Sequence, residues 1–183
     1  MIESRPLALP DLVELRPRRF GDERGFFSEV WNQGRFAEIG IVTRFVQDNV
    51  SVSRRRGIVR GLHFQVAPEA QAKLVRVSRG AIFDVGVDIR RSSPTFGRWA
   101  GVVLSAEQWN QLFVPEGFAH GFLTLEDDTE VGYKVSAPYS PEHERPVRFD
   151  DAAIGIDWPI DTAPLVSAKD ASAPLLSEIE TGF

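Results

Sequence analysis

Imidazole side chains are scarce in this sequence, and two of them stand in apolar surroundings. The chain of 183 residues contains three histidines and no cysteine. His120 lies in PEGFAHGF, between two phenylalanines and after a proline–glycine turn, and His63 lies in RGLHFQ. Imidazole titrates near neutral pH, so it suits general acid–base chemistry or metal binding. The lack of cysteine excludes a thiolate nucleophile, a disulfide and a zinc–thiolate site.

Three further ionisable residues each stand in an apolar, strand-like segment: Lys73 in KLVRV, Asp84 in AIFDVGVDI and Tyr133 in TEVGYKV. Each has a plain structural explanation by itself. Lys73 can extend its ammonium to solvent, and the strand face that carries Asp84 can be exposed to water. The ring of Tyr133 can pack in the core while its hydroxyl contacts water. Together with His63 they favour a different interpretation, in which several strands line a pocket with a few placed polar groups.

The elements that carry these residues are short β-strands. Runs rich in Val, Ile and Phe, punctuated by Gly, Pro or Asn, fill residues 16–134, and helical periodicity is almost absent. The predicted strands are 45–51, 58–65, 73–78, 81–89, 98–104, 111–114 and 129–135, with one short helix at 31–39. This spacing favours a sandwich or a closed barrel. Within 58–65, strict alternation places Gly61 and His63 on one face, and a strand glycine often marks close approach of a ligand or another backbone.

The length and composition predict a single domain over residues 1–183. A chain with 43% hydrophobic residues can bury one substantial core. From about residue 137 to residue 183 the sequence changes to proline-punctuated loops and short helices. We expect this C-terminal extension to pack against the outside or the rim of the β-structure.

The charge of the chain narrows the classes of partner. A formal net charge of -5 disfavours nucleic acid and anionic membrane surfaces, because both would repel the averaged field of the protein. No apolar run is long enough to span a bilayer, and the N-terminal residues lack the apolar core of a signal peptide. We therefore expect a cytoplasmic protein whose partner is a small molecule.

Several motifs together carry a family resemblance. The P-x-G-x-x-H pattern in PEGFAHGF resembles the second sequence motif of the cupin barrel. With RGLHFQ, AKLVRV, FDVGVDIRRSSPTFGRW, EVGYKVSAPYSPEHE and IGIDWP, the chain from FGDERGFFSEVWN to LVSAKDASAPLL resembles the dTDP-4-dehydrorhamnose 3,5-epimerase family. The resemblance implies a mainly β fold: an antiparallel jelly-roll (cupin) barrel with a few short helices, mostly toward the C-terminus. It also implies an isomerase without a cofactor, and a homodimer that exchanges N-terminal strands.

The resemblance implies a reaction and roles for the residues that perform it. The family substrate is dTDP-4-dehydro-6-deoxy-D-glucose, whose C3 and C5 hydrogens are acidified by the C4 ketone, and both centres are inverted to give dTDP-4-dehydro-L-rhamnose. His63 would be the general base and Asp170 would fix its tautomer. Tyr133 would donate a proton on the opposite face, and Lys73 would stabilise the charge on the C4 oxygen.

The remaining matched positions concern substrate binding. His120 would line the sugar pocket, and Asp84 is the candidate for its hydrogen-bonding partner. For His120 a structural explanation also stays open, a buried histidine that ties a turn to the barrel. The residues matched to the nucleotide and further substrate contacts are Arg24 and Arg60 at the diphosphate, Glu29, Gln47, Asp48 and Asn49 at the thymidine, Tyr139 stacked on the thymine, and Lys169 and Glu144.

Three other functions remain as alternatives. An enzyme that inverts only C3 or only C5 of a related nucleotide 4-keto sugar would keep much the same catalytic residues. A non-catalytic nucleotide-sugar-binding cupin would not need both His63 and Tyr133. A metal-dependent cupin oxygenase would need several converging N and O ligands, usually an H-x-H pair, whereas His63 is followed by Phe64 and Gln65. We therefore expect no metal site.

Overall fold

The computed structural model describes residues 2–183 and contains two antiparallel sheets that pack face to face. The six-stranded sheet has the order β1-β2-β10-β7-β12-β5 and the five-stranded sheet the order β13-β6-β11-β8-β9. The strands of the first sheet are β1 (Glu3–Pro6), β2 (Val13–Arg16), β5 (Gln47–Ser53), β7 (Lys73–Arg79), β10 (Gln111–Val114) and β12 (Thr129–Val135). Those of the second are β6 (Val59–Gln65), β8 (Ala81–Asp88), β9 (Trp99–Ser105), β11 (Phe118–Thr124) and β13 (Glu144–Pro146).

The remaining elements are a separate hairpin and three short helical segments. The hairpin pairs β3 (Phe20–Asp22) with β4 (Gly25–Phe27). Helix α1 (Gln33–Glu38) begins after Asn32, whose side chain caps it, and falls within the predicted segment 31–39. Helix α2 (Ala168–Ala171) and a 3₁₀ helix (Leu176–Glu178) lie near the C-terminus. Two antiparallel sheets with few short helices form a jelly roll, as the family resemblance implied. None of the helices in residues 2–183 has the length and apolarity to cross a membrane.

The main core lies between the two sheets. Val75 of β7 and Val131 of β12 come from the six-stranded sheet, and Ile82 of β8 and Phe122 of β11 from the five-stranded one. Val75, Ile82 and Val131 are fully buried, and removal of each such side chain from water contributes roughly 1.5–3 kcal/mol. The alternating apolar residues of the strands thus hold the sheets together and leave the polar ones to line what space remains.

The outer face of the five-stranded sheet is also buried. Val85 and Val87 of β8 pack there against Val147, Ile154 and Leu176 of the C-terminal part. The explanation that the Asp84 face of segment 81–89 meets water is wrong, because that face is the inner one, shared with Ile82, and Asp84 is fully buried there. Strands β8 and β11 therefore have two buried faces, which is unusual for an antiparallel sheet.

A bulge in β6 positions the polar residues of that strand. Two residues of β6, 61 and 62, lie opposite a single residue of β11, Gly121, so β6 contains one extra residue. Gly61 has a φ of 115°, and a Cβ at this position would lie 2.6 Å from the Cα of Gly121. The strand glycine thus marks close approach of another backbone. The extra residue brings both Arg60 and His63 to one cavity, where strict alternation would place them on opposite faces.

Candidate active site

A cavity of about 800 Å³ opens between the two sheets. Strands β5, β7 and β12 supply one wall, β6 and β11 supply the other, and residues 165–170 border the opening. An adjoining cavity of about 260 Å³ shares His63, Lys73 and Tyr133 and extends to Tyr139 and Glu144. Together they have the size of a ligand site for a drug-sized or nucleotide-sized molecule.

His63 forms a hydrogen-bonded pair with Asp170. The Nε2 atom of His63 lies 2.7 Å from Oδ1 of Asp170, a carboxylate that is 4% exposed. Burial raises the pKa of Asp170, but hydrogen bonds from His63 and from the backbone N–H of Gly61 outweigh it, so the pKa lies below its usual value. An ionised carboxylate only accepts hydrogen bonds, so Nε2 of His63 carries a proton. The Nδ1 lone pair is then free to accept a proton.

Asp170 is held in place by the helix that carries it. Ser167 is the N-cap of α2, and its hydroxyl accepts a hydrogen bond from the backbone N–H of Asp170 at 3.1 Å. The sequence SAKD therefore supplies the cap and the carboxylate within four residues. Ser167 also lines the cavity, although it was not among the site residues predicted from the sequence.

Tyr133 faces the cavity from the wall opposite His63. It belongs to β12 of the six-stranded sheet, whereas His63 belongs to β6 of the five-stranded sheet, and both line the same space. Burial raises the pKa of Tyr133; the positive charge of Arg60 lowers it in part, and the negative charge of Glu144 raises it further. The hydroxyl is thus protonated at neutral pH and can donate a proton.

Lys73 supplies a buried cation to the same space. The residue is 9% exposed, and its Nζ donates a hydrogen bond to the carbonyl oxygen of His63 at 3.3 Å. Burial lowers the pKa of Lys73 to about 8, although the charges of Asp84 and Glu144 act in the opposite direction. The ammonium is therefore mostly charged at neutral pH and close to its titration point.

A second histidine–aspartate pair lies beside the first. His120 of β11 is the direct cross-strand partner of His63, so the two side chains are neighbours. The Nε2 atom of His120 lies 2.7 Å from Oδ1 of Asp84, which is fully buried. Oδ2 of Asp84 has no hydrogen-bond partner in the part of the chain that the structure describes. Asp84 thus contacts His120, as predicted.

Four charged or aromatic residues lie at the outer end of the site. Tyr139, with 55% of its surface exposed, donates a hydrogen bond from its hydroxyl to Oε2 of Glu144 at 3.0 Å. Lys169 donates to the same oxygen. Burial raises the pKa of Glu144, but the hydrogen bonds from Lys169 and Tyr139 hold it below its usual value. Arg60 donates from Nε to Ser53 and from Nη2 to the carbonyl of residue 52, and it lines the larger cavity.

The thymidine-matched residues of β5 divide between the two faces of that strand. Gln47 and Asn49 line the smaller cavity and share a hydrogen bond of 2.8 Å. Asp48 points to the other face of the sheet, where it binds Lys134 at 2.7 Å.

Two residues that were predicted to contact the substrate lie outside both cavities of the single chain. Arg24 occupies the turn of the β3–β4 hairpin with 88% of its side chain exposed, and it binds Asp22. Glu29 binds Arg35 at 3.2 Å. Neither residue is part of the lining of the two cavities.

The donor set does not match a metal centre. Among residues 2–183, no group of three or more histidine and carboxylate side chains is placed to hold a metal ion. His63 and His120 each direct Nε2 at a single carboxylate instead. A histidine that is paired with one carboxylate is an arrangement suited to proton transfer.

A jelly roll with a buried histidine–aspartate pair, a protonated tyrosine and a buried lysine around one cavity defines a cupin-type enzyme that moves protons. The dTDP-4-dehydrorhamnose 3,5-epimerase family model matches residues 6–178. The chain is 55% identical to the dTDP-4-dehydrorhamnose 3,5-epimerase of Salmonella typhimurium, over 93% of each chain. It is 52% identical to that of Sinorhizobium fredii, over 97% of this chain and 91% of the relative. The chain therefore belongs to the dTDP-4-dehydrorhamnose 3,5-epimerase family.

A solved structure extends the likeness to the fold. The dTDP-6-deoxy-D-glucose-3,5-epimerase of Legionella pneumophila, in complex with dTDP-4-keto-L-rhamnose, matches with a TM-score of 0.94 and 44% identity. The match covers 98% of this chain and 95% of that chain. The resemblance drawn from the sequence motifs is confirmed.

Proposed function

We propose that this chain is an isomerase that inverts C3 and C5 of dTDP-4-dehydro-6-deoxy-D-glucose to give dTDP-4-dehydro-L-rhamnose. The observation that carries the proposal is the placement of a base and an acid on opposite walls of one cavity. His63, paired with Asp170, stands on one wall, and the protonated Tyr133 stands on the other. Inversion at a carbon requires proton removal from one face and proton delivery to the other, which this arrangement allows.

The proposed reaction is a pair of proton transfers at each carbon. Nδ1 of His63 removes the proton next to the C4 ketone, and the bonding electrons move to the C4 oxygen to give an enolate. The Lys73 ammonium, which is 9% exposed, stabilises the charge on that oxygen. Tyr133 then donates its proton to the opposite face of the carbon. The imidazolium releases its proton to solvent, and the tyrosinate takes one up, so the enzyme returns to its starting state.

The second histidine–aspartate pair, His120 and Asp84, contributes to substrate binding during the same proton transfers. We assign His120 to binding of the sugar near the ketone, with Asp84 fixing its orientation. Because Asp84 also raises the pKa of Lys73, it helps to keep the ammonium charged.

We assign the nucleotide to the smaller cavity and to the adjoining part of the larger one that contains Arg60. The guanidinium of Arg60 has two parallel N–H donors that suit phosphate oxygens, and it lies in the larger cavity with His63. Tyr139 presents an exposed ring that can stack on thymine, with Glu144 and Lys169 at its hydroxyl end. Gln47 and Asn49 offer amide groups to the thymine edge.

We further propose that the chain acts as one domain over residues 1–183 and works as a homodimer. The β3–β4 hairpin leaves Phe26 and Phe27 49% and 69% exposed, and neighbouring exposed apolar side chains are typical of a protein–protein contact. Docking of this hairpin on a second copy would cover it and bring Arg24 and Glu29 toward the partner's cavity. Sedimentation velocity tests the dimer, and a monomeric protein at assay concentration would contradict it.

One experiment separates the proposed reaction from its alternatives. The protein is incubated with dTDP-4-dehydro-6-deoxy-D-glucose in deuterated water, and label at C3 and C5 is followed by NMR. Exchange at both carbons with formation of the L-rhamno product is expected. Exchange at one carbon would identify a mono-epimerase, and no exchange would identify a binding protein. The same incubation with dTDP-glucose, which lacks the C4 ketone, is the matched control and should give no label.

A further inference from the structure

The segment that carries Tyr139 is anchored by glutamine side chains. Residues 137–140 connect β12 to the turn before β13 at the rim of the smaller cavity. Three glutamine side chains, those of Gln47, Gln65 and Gln71, form hydrogen bonds to the backbone of this short segment. We propose that Gln65 and Gln71 are positioning residues that set the place of the Tyr139 ring and thereby the affinity for the nucleotide. This inference rests on the proposed function.

Gln65 makes the most complete set of contacts. Its Nε2 donates to the carbonyl of Glu69 at 2.6 Å and to that of Pro138 at 3.1 Å, and its Oε1 accepts from the N–H of Ser140 at 2.9 Å. Both amide hydrogens and the oxygen are therefore used, and rotation of the amide by 180° would face an oxygen with two carbonyl oxygens. The amide has one allowed orientation, and it bonds to the residues on both sides of Tyr139.

Gln71 holds the start of the same segment. Its Nε2 donates to the carbonyl of Ala137 at 2.7 Å and to that of Pro138 at 3.3 Å. Gln47 accepts from the backbone N–H of Tyr139 itself at 3.2 Å. All of these contacts involve the backbone of the segment, so the Tyr139 ring stays free to meet a ligand.

Backbone pairing does not replace these contacts. In residues 2–183 the hydrogen bonds between backbone groups outside regular elements reach residue 136, which bonds to residue 72, and resume at residue 140. Residues 137–139 have none. Pro138 also lacks an N–H, which removes one further route to sheet pairing. The position of Tyr139 therefore depends on side-chain amides.

Because Gln65 is more buried than Gln71, we expect loss of its hydrogen bonds to have the larger effect on the position of the Tyr139 segment. Gln65 is 3% exposed, so a variant that cannot bond leaves the three backbone groups without a partner in a place that water does not easily reach. The two glutamines also line the smaller cavity together with His63 and Tyr133. They are close to the chemistry without offering a group that can titrate.

The first test compares Gln65→Met and Gln71→Met with the wild-type protein by calorimetric titration with dTDP. Loss of the hydrogen bonds should raise the Kd for dTDP about tenfold in Gln65→Met and less in Gln71→Met. The KM for the sugar nucleotide should rise in parallel, while kcat at saturation changes by less than about twofold. Gln33→Met is the matched control, since Gln33 also donates to two loop carbonyls, those of residues 42 and 43. It should leave the Kd unchanged.

The second test asks whether Gln65 acts through Tyr139. Tyr139→Ala should weaken dTDP binding by itself, because stacking on a base is lost. If Gln65 only positions the ring, Gln65→Met should add less than about a twofold change in the Tyr139→Ala background. An equal loss in both backgrounds would overturn the proposal, as would an unchanged Kd in the single variant.

Two outcomes are distinguished by the wild-type titration. If wild-type protein binds no dTDP, the proposed function fails and this inference fails with it. If wild-type protein binds dTDP and the glutamine variants bind it equally well, only the positioning role is lost. Should Gln65→Met not fold, as judged by its thermal transition, the half-buried Gln71→Met and its double variant with Tyr139→Ala decide the question by the same criteria.

Discussion

Replacement of Lys73 by methionine should abolish activity and stabilise the protein. Burial lowers the pKa of Lys73 from its ordinary value of 10.5 to about 8 in the folded chain. That difference corresponds to about 3 kcal/mol by which the folded state disfavours the charged ammonium. Methionine has a similar length and no charge, so this cost is removed. The hydrogen bond from Nζ to the carbonyl of His63 is also lost, which reduces the gain by about 1 kcal/mol.

The pH dependence of the stability gain in Lys73→Met is a more specific prediction than the magnitude of that gain. Below pH 8 Lys73 is charged in both folded and unfolded protein, and the whole cost of the buried charge is present. Between pH 8 and 10.5 the unfolded chain binds more protons than the folded one, so wild-type stability rises with pH relative to the variant. At pH 9.5 about 1.4 kcal/mol of the charge cost should remain. Above pH 10.5 it should vanish.

Urea unfolding at equal protein concentration measures both quantities. The free energy of unfolding of Lys73→Met should exceed that of the wild type by about 2 kcal/mol at pH 7, and the difference should shrink as the pH is raised toward 10. The deuterium exchange assay should show at least about a hundredfold loss of turnover. A variant less stable than the wild type at pH 7, or a stability difference that does not depend on pH, would refute the reasoning.

Two further substitutions test the histidine pairs. His63→Ala should lower deuterium exchange at C3 and C5 by at least about a hundredfold while the Kd for dTDP, measured by calorimetry, stays within about twofold, because the base is removed and the nucleotide contacts remain; an equal loss of dTDP binding would count against the assignment. Asp84→Asn should move the alkaline limb of the pH–rate profile below pH 8, since loss of a negative charge lowers the pKa of Lys73 further. A limb that stays in place would show that Asp84 does not act on Lys73.

The strands that alternate clearly were predictable from the sequence. Segments 111–114 and 129–135 have the predicted bounds, and the other predicted strands shift by one or two residues at their ends. Strand β11 was not predicted, because all seven of its residues are buried and the sequence FAHGFLT shows no alternation. The short strands β1, β2, β3, β4 and β13 were also missed, since three or four residues are too few to show a clear period.

The site was predictable only where residue type decides chemistry. His63 and Asp170 are separated by 107 residues, so no local pattern joins them, and the pair came from family resemblance alone. The bulge at Gly61 interrupts the period of two, so strict alternation along β6 would separate Arg60 from His63, although both line one cavity. Gln65 and Gln71 carry no charge and belong to no chemical motif, so their contacts emerge only from the folded backbone.

The central claim is that His63 and Tyr133 act on opposite faces of the sugar, and Tyr133→Phe tests it most directly. In deuterated water this variant should still exchange the substrate hydrogen next to the ketone, because the base is intact, and the label should enter with the original configuration. Product formation should fall at least about a hundredfold below wild type. If wash-in of deuterium and inversion fall together by the same factor, or if inversion proceeds at the wild-type rate, the two-face account is contradicted.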